Sequence, residues 1–329
     1  MASAALTRRA ALAGMIASSA VPARAQSILQ PHWPERPVTI VHGLAQGGSA
    51  DIIARLIADN LTRRIGQQVI VDPRPGAGGR LAAGQIARAA PDGYTLMTIP
   101  SGHAVAAALY KSLPYDSIDD FTMISMLTEF PFILVVPADT DFKTFQDFTS
   151  AAKASGRPFL YGSAGNASLQ HLAGELLSRT LNVTFQHVPY RGSAQALTDL
   201  MAKRIDFLVD SPTAEMQYIR AGKVRPLLVT SQARFFGMPE VPTATEAGIP
   251  SYTFTSWQGM VAPAGLPEML VDRLNVEIGA ILTDPAVVER IHNIGNMPAP
   301  TSPKELRARI AADIAKWQAV IEGAHIEKI

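Results

Sequence analysis

The chain contains no cysteine. That excludes disulfides, thiolate metal sites and a cysteine nucleophile, and it suits an exported protein kept clear of mispairing. Charge is scarce as well: Asp, Glu, Lys and Arg make up 17% of the 329 residues, and the formal net charge is +1. Nothing in that balance marks a nucleic-acid or polyanion partner. No apolar run reaches the roughly 20 residues that a membrane-spanning helix needs. There is no G-x-x-x-x-G-K-[ST] phosphate loop, and Ser163, between Gly162 and Ala164, does not match G-x-S-x-G. Gly76-Ala77-Gly78-Gly79-Arg80-Leu81 has leucine where a dinucleotide fingerprint needs its third glycine. His171 and Glu175 are four apart on a predicted helix but lack a third ligand, and the other histidines show no ligand spacing. No metal and no cofactor are therefore expected.

What the chain does have is apolar content, 47%, enough for a core in each of two domains at this length. Its first residues read as an address. Arg8-Arg9 precedes the small-residue apolar stretch Ala10 to Ala20, and Ala23-Arg24-Ala25 fits an A-x-A cleavage pattern. Residues 1–25 are expected to be a signal peptide cut after Ala25, leaving a periplasmic protein with no stable membrane anchor. The arginine pair fits either twin-arginine or ordinary secretory export.

Beyond that segment, short apolar runs alternate with helical patterns. Val38 to Val41 leads into a segment with Ile52, Ile53, Leu56, Ile57 and Leu61 on one face at a 3.6-residue period. Val69 to Val71 and Thr95 to Ile99 open two more units, and a second series runs from Phe132 through strands near 159–161, 184–188, 207–209 and 227–229. Helical patterns at Pro267 to Leu282 and Ser302 to Ile321 follow, as if returning to cover the first domain. Strand alternating with helix predicts parallel sheets covered on both faces. Two α/β lobes joined by crossings near 128–137 and 251–262 are expected to face each other across a cleft.

Four turns sit between a strand and a helix: Gly47-Gly48-Ser49, Gly76 to Gly79, Ser101-Gly102, and Gly162 to Ser168. Each leaves the first N–H groups of its helix unpaired, with the positive end of the helix dipole behind them. Grouped at the carboxyl ends of neighbouring strands, they would make an anion site. In the second series Arg191 either reaches a carboxylate or is a solvated arginine, while Ser193 caps a helix. Asp210 would repel a carboxylate unless it accepts a bond from an amine, hydroxyl or water.

Several stretches carry a resemblance. Gly47-Gly48-Ser49-Ala50-Asp51, Arg74 to Gly79, Pro91-Asp92-Gly93-Tyr94-Thr95-Leu96, Leu113-Pro114-Tyr115-Asp116, Tyr161 to Gly165 with Ser168 to Glu175, and His187 to Gly192 all match one pattern. From about Trp33 onward the chain closely resembles the substrate-binding proteins of tripartite tricarboxylate transporters, the Bug family. The resemblance implies an α/β, two-lobed periplasmic binding fold of type II, a Venus-flytrap of two doubly wound α/β domains with two hinge crossings. The lobes are expected at 26–134 with 255–329, and at 135–254. It implies a monomer that is not an enzyme, and that captures a small di- or tricarboxylate, amino acid or aromatic acid for a membrane permease. By the same resemblance the ligand-binding residues are Leu44, Gly47, Gly48, Ser49, Asp51, Ala77, Gly78, Ser101, Ser163, Gly165, Ser168, Tyr190, Arg191 and Asp210. Departures from the family pattern cluster at the pocket wall: Gly43-Leu44-Ala45-Gln46 before the first glycines, Arg80-Leu81, and Gln195. Two other readings remain: a ligand sensor for a membrane kinase, and a hydrolase or lyase using His171, Asp210 or His103.

Overall fold

The computed structural model describes residues 33–329 except Ala45, Gly47, Gly48, Ala167 and Arg191. The expected signal peptide and its cleavage site therefore lie outside the described residues. In chain order the elements are β1 (Val38–His42), α1 (Ser49–Ile65), β2 (Val69–Pro73), a 3₁₀ turn (Ala77–Gly79), α2 (Arg80–Ile86), β3 (Thr95–Pro100), α3 (Gly102–Leu109) and β4 (Phe121–Pro131). A second group follows: β5 (Ile133–Pro137), α4 (Phe145–Ala154), β6 (Phe159–Ser163), α5 (Leu169–Leu181), β7 (Phe185–Pro189), α6 (Ser193–Met201), β8 (Phe207–Asp210), α7 (Pro212–Arg220) and β9 (Val224–Val229). The chain ends with β10 (Thr255–Pro263), α8 (Glu268–Leu282), α9 (Pro285–Asn293), β11 (Met297–Pro298) and α10 (Pro303–Gly323).

These strands form two sheets, ordered β11-β4-β10-β3-β1-β2 and β7-β6-β8-β5-β9. The expectation of parallel sheets needs correction. β1 pairs in parallel with β2 and β3, and β6 with β7 and β8. β10 runs antiparallel to β3 and β4, and β5 antiparallel to β8 and β9. The antiparallel strands are the ones that cross between lobes: a strand arriving from the other lobe enters its sheet against the direction of strands wound within it.

In the second sheet the residues of β5 alternate between two cores. Leu134 and Val136 join Phe148, Tyr161, Leu172 and Phe207 beneath α4 and α5, while Ile133 and Val135 join Leu197, Leu200 and Phe235 on the opposite face. This two-residue period explains a fully buried run such as Ile133 to Val136. The first sheet packs Met97, Ile99, Met123 and Trp257 against Ala83 and Ile86 of α2 and Leu306 and Ile310 of α10. α10 does more than cover the first lobe. Its last turns, Trp317, Val320 and Ile321, belong to the core that contains Phe148 and Tyr161 of the second lobe.

The crossings are tied together. One residue, Phe132, separates β4 from β5. Its N–H donates to Thr230 Oγ1 at 2.8 Å, and that hydroxyl donates to the Phe254 carbonyl, also at 2.8 Å. The Thr230 N–H donates to the Phe132 carbonyl, and the Phe254 N–H to the Thr230 carbonyl. One threonine thus binds both crossings by side chain and backbone.

Candidate functional site

The parallel register brings the ends of β1, β2 and β3 side by side: His42 lies opposite Pro73 and Thr98. The turns after them therefore share one rim of the sheet. The first runs through Gly43, half-buried Leu44 and Gln46 to Ser49, the first residue of α1; the expected ligands Gly47 and Gly48 lie outside the described residues. The second winds through Ala77, Gly78 and Gly79 at φ of 48°, 65° and 93°. The Gly79 N–H closes the turn by donating to the Gly76 carbonyl at 2.9 Å, which leaves the N–H groups of Ala77 and Gly78 as the candidate anion donors of this cradle. The two turns touch backbone to backbone. A Cβ on Gly43 would lie 2.3 Å from the Gly79 Cα, so only hydrogen fits there.

Asp51 is held inside the protein. Its carboxylate accepts from His42 Nε2 at 3.0 Å and from Arg55 Nε at 3.0 Å, anchoring the first turn of α1 to the end of β1. Ser101 opens α3 but is occupied: its N–H donates to the Trp257 carbonyl and its hydroxyl lies 2.7 Å from that of Ser256. Ser49 differs. Its Oγ accepts from Gln258 Nε2 at 2.9 Å and from Asn296 Nδ2 at 3.2 Å.

In the second lobe, Ser168 caps α5 by accepting the His171 N–H, and its hydroxyl donates to the Gly165 carbonyl at 2.8 Å. Gly165 takes φ 116°, and the Tyr190 N–H donates to the Ser163 carbonyl, tying the end of β7 to this turn. Ser163 is buried; its Oγ accepts the Gly165 N–H, donates to the Gly165 carbonyl and sits 2.6 Å from His187 Nε2. Tyr190 carries its hydroxyl to Asp199 Oδ2, 2.8 Å away, and burial together with that acceptor pushes it up to about 12. Arg191 lies outside the described residues. Asp210, at the end of β8, is fully buried and accepts from the Ser211 N–H at 2.6 Å and from Gln170 Nε2 at 3.1 Å. Burial raises its pKa despite these donors. Burial raises Glu215, in the first turn of α7, well above the usual carboxylate range, with Asp210 adding to the effect.

The histidines resolve into structural roles. The rings of His171 and His187 stack at 4.0 Å, and burial, then the neighbouring His171, pushes His187 down to about 4. Such an imidazole is a poor base for Ser163 at neutral pH. His171 stands 4.0 Å from Glu175, which accepts from the Tyr161 hydroxyl at 2.6 Å. His103 is buried between Tyr115 and Phe121, bonds the Ser117 carbonyl, and is lowered by burial. Among the described residues no group of three His, Asp or Glu is placed to hold a metal ion. Arg80, one of the departures at the pocket wall, stacks its guanidinium 3.7 Å over the Tyr110 ring.

Sequence reasoning missed the amides. Gln258 on β10 and Asn296 before β11 are buried and distant in sequence from every glycine turn, yet both bond Ser49. A lone amide in a strand or loop carries no spacing that would flag it.

The tripartite tricarboxylate transporter family receptor pattern (TctC) matches residues 53–326. A UPF0065 protein from the tcbD-tcbE intergenic region of Pseudomonas sp. strain P51 is 39% identical over 316 residues, 95% of this chain and 94% of that protein. Among solved structures, R. palustris Rpa4515 with adipate is similar with a TM-score of 0.80 at 34% identity, covering 90% of this chain and 100% of that one. The periplasmic binding protein BugD is similar with a TM-score of 0.77 at 32% identity, over 90% and 100% of the two chains.

Proposed function

The chain belongs to the tripartite tricarboxylate transporter receptor family, and on that footing we propose that it is a periplasmic receptor that closes two lobes over a small carboxylate and presents it to a membrane permease. The observation that carries this reading is the packing of the Ala77–Gly79 cradle on the turn that leads from β1 to α1, backbone against backbone at Gly43 and Gly79. Hydrogen bonds to a charged group contribute about 1.5–3 kcal/mol each. Three or four of them supply the roughly 8 kcal/mol of micromolar binding before ordering costs are subtracted. Adipate on a relative with the same fold supports a dicarboxylate.

In this reading the protein does no chemistry and needs no cofactor. Ser163, the nearest candidate nucleophile, is enclosed by its own turn and faces a weakly basic His187. The lobes are 26–134 with 255–329 and 135–254, the exported chain starts after Ala25, and the receptor works as a monomer. Calorimetry against adipate, succinate, citrate, glutamate and benzoate tests the proposal, with small-angle scattering to follow closure. Micromolar binding of at least one acid with a smaller radius of gyration is expected. A chain that binds none of them, or that turns one over, would overturn it.

A further inference from the structure

Ser49 stands where three distant parts of the chain meet. It begins α1, Gln258 comes from the middle of the first sheet, and Asn296 from the loop between α9 and β11. A serine hydroxyl has two lone-pair positions and one proton. Gln258 Nε2 and Asn296 Nδ2 occupy both acceptor positions, and among the described residues the hydroxyl donates to no partner. Its proton has no acceptor among the described residues at the start of α1, next in the chain to the turn that packs on the Ala77–Gly79 cradle.

Stability does not account for this arrangement. Gln258 is 4% exposed and Asn296 0% exposed, and the carbonyl oxygens Gln258 Oε1 and Asn296 Oδ1 find no partner among the described residues. Two buried amides, each half-satisfied, are a poorer core than two aliphatic side chains would be. Asn296 Nδ2 also donates to Thr128 Oγ1 at 3.3 Å, and together the two amides fix the direction of the Ser49 hydroxyl.

The stretch that supplies Asn296 also touches the other lobe. The Ile294 carbonyl accepts from Thr213 Oγ1 at 2.8 Å, and Gly295, at φ 77°, lies so close to Pro212 that a Cβ there would sit 2.7 Å from the Pro212 Cβ. One turn earlier, the His292 ring lies 4.4 Å from that of Phe236. Pro212 and Thr213 open α7, directly after Asp210 and Ser211 at the end of β8.

We propose that Gln258 and Asn296 are positioning residues that aim the Ser49 hydroxyl at the ligand, and that the 292–296 stretch couples this aim to the seating of α7 from the second lobe. The proposal deepens the carboxylate-receptor reading and rests on it for the identity of the acceptor. When α7 parts from Ile294 and Gly295, Asn296 keeps its bonds to the Ile291 carbonyl and Thr128 Oγ1 but loses the tether through its neighbours to the second lobe, and the aim of Ser49 loosens, so the first lobe grips fully only when the second is in place.

Hydrogen exchange on the full chain without ligand tests the coupling. Thr213→Val removes the contact to Ile294, and exchange at Ile53 to Leu56, whose N–H groups bond the carbonyls of the first turn of α1, is expected to rise roughly three- to tenfold, the range of one neutral hydrogen bond. Thr213→Ser, which keeps the hydroxyl, is expected to restore the wild-type rate. Unchanged exchange at Ile53 to Leu56 in Thr213→Val overturns the coupling. Calorimetry with adipate tests the aim through a double-mutant cycle. Ser49→Ala and Asn296→Ala each weaken binding, and the pair together is no weaker than Ser49→Ala alone; additive losses overturn the positioning role. The exchange arm needs no ligand, so a chain that rejected adipate would sink the carboxylate reading while the coupling was still decided.

Discussion

Gly43→Ala probes whether the first two turns act as one grip. The added carbon would meet Gly79 Cα at 2.3 Å, its carbonyl oxygen at 2.9 Å and its carbonyl carbon at 3.0 Å. Carbon atoms rest at about 3.5–4.0 Å, so the turns must part by about 1.2–1.7 Å at the closest pair. Gly43 itself is outside the left-handed region, so its backbone accepts alanine and only the spacing is tested. Overpacking of this kind costs about 1–3 kcal/mol. At about 2–4 °C per kcal/mol the melting temperature should fall by roughly 2–12 °C. Separation also moves the cradle N–H groups away from the start of α1. Losing one hydrogen bond to a charged ligand costs about 1.5–3 kcal/mol, or roughly ten- to 150-fold in affinity. Differential scanning fluorimetry and adipate calorimetry read the two effects. Gly156→Ala, where an added carbon meets nothing within 4 Å, is the control. Lower stability with undiminished affinity would refute the shared grip, and no change in either would refute the contact itself.

His187 predicts an acid-side weakness. Its folded pKa of about 4 lies below the usual histidine value of 6.5, so the native state prefers the neutral ring. The stability this preference contributes is complete above about pH 6.5 and is lost as pH falls toward 4. Urea midpoints between pH 7.5 and 4 should decline less steeply in His187→Gln; identical profiles would reject the assignment. Trp257→Phe removes the donor that holds Asp313 Oδ2 at 2.6 Å between β10 and α10. A loss of about 1.5–3 kcal/mol is expected in urea unfolding from that bond alone, and a loss under about 0.5 kcal/mol would show that Arg309, the carboxylate's other donor, suffices.

The strand and turn rhythm was readable because it is local. Each unit of the first lobe carries its strand, its turn residues and its helical period within about thirty residues, the scale of a βαβ unit. β4 was harder: Phe121–Pro131 mixes Thr122, Ser125, Thr128 and Glu129 among apolar residues, and its partners are β10 and β11 near the other end of the chain. α9 was missed although Asp284 and Pro285 stand at its start as N-cap and first residue, a local signal that was there to be used. At the site, glycines announced themselves by composition, whereas the roles of Gly43, Gln258 and Asn296 arise only from what the fold sets beside them. Asp51 illustrates the reverse. Its place in the motif was legible, but its partners His42 and Arg55 define its structural task.

The position of β10 has a consequence for how the protein is made. It fills the gap between β3 and β4, pairing Gln258 with Pro100 and Trp257 with Glu129, yet it is synthesised after every strand of the second sheet. The second lobe draws its strands from one continuous stretch, but Trp317, Val320 and Ile321 of α10 complete its core. The first lobe, though begun earlier, waits with two unfilled strand edges until residue 263 has emerged. Neither lobe has all its parts until the chain is nearly finished. A nascent chain of this topology stays pliable along its leading half until nearly complete, the state in which a polypeptide is threaded most easily through a narrow channel.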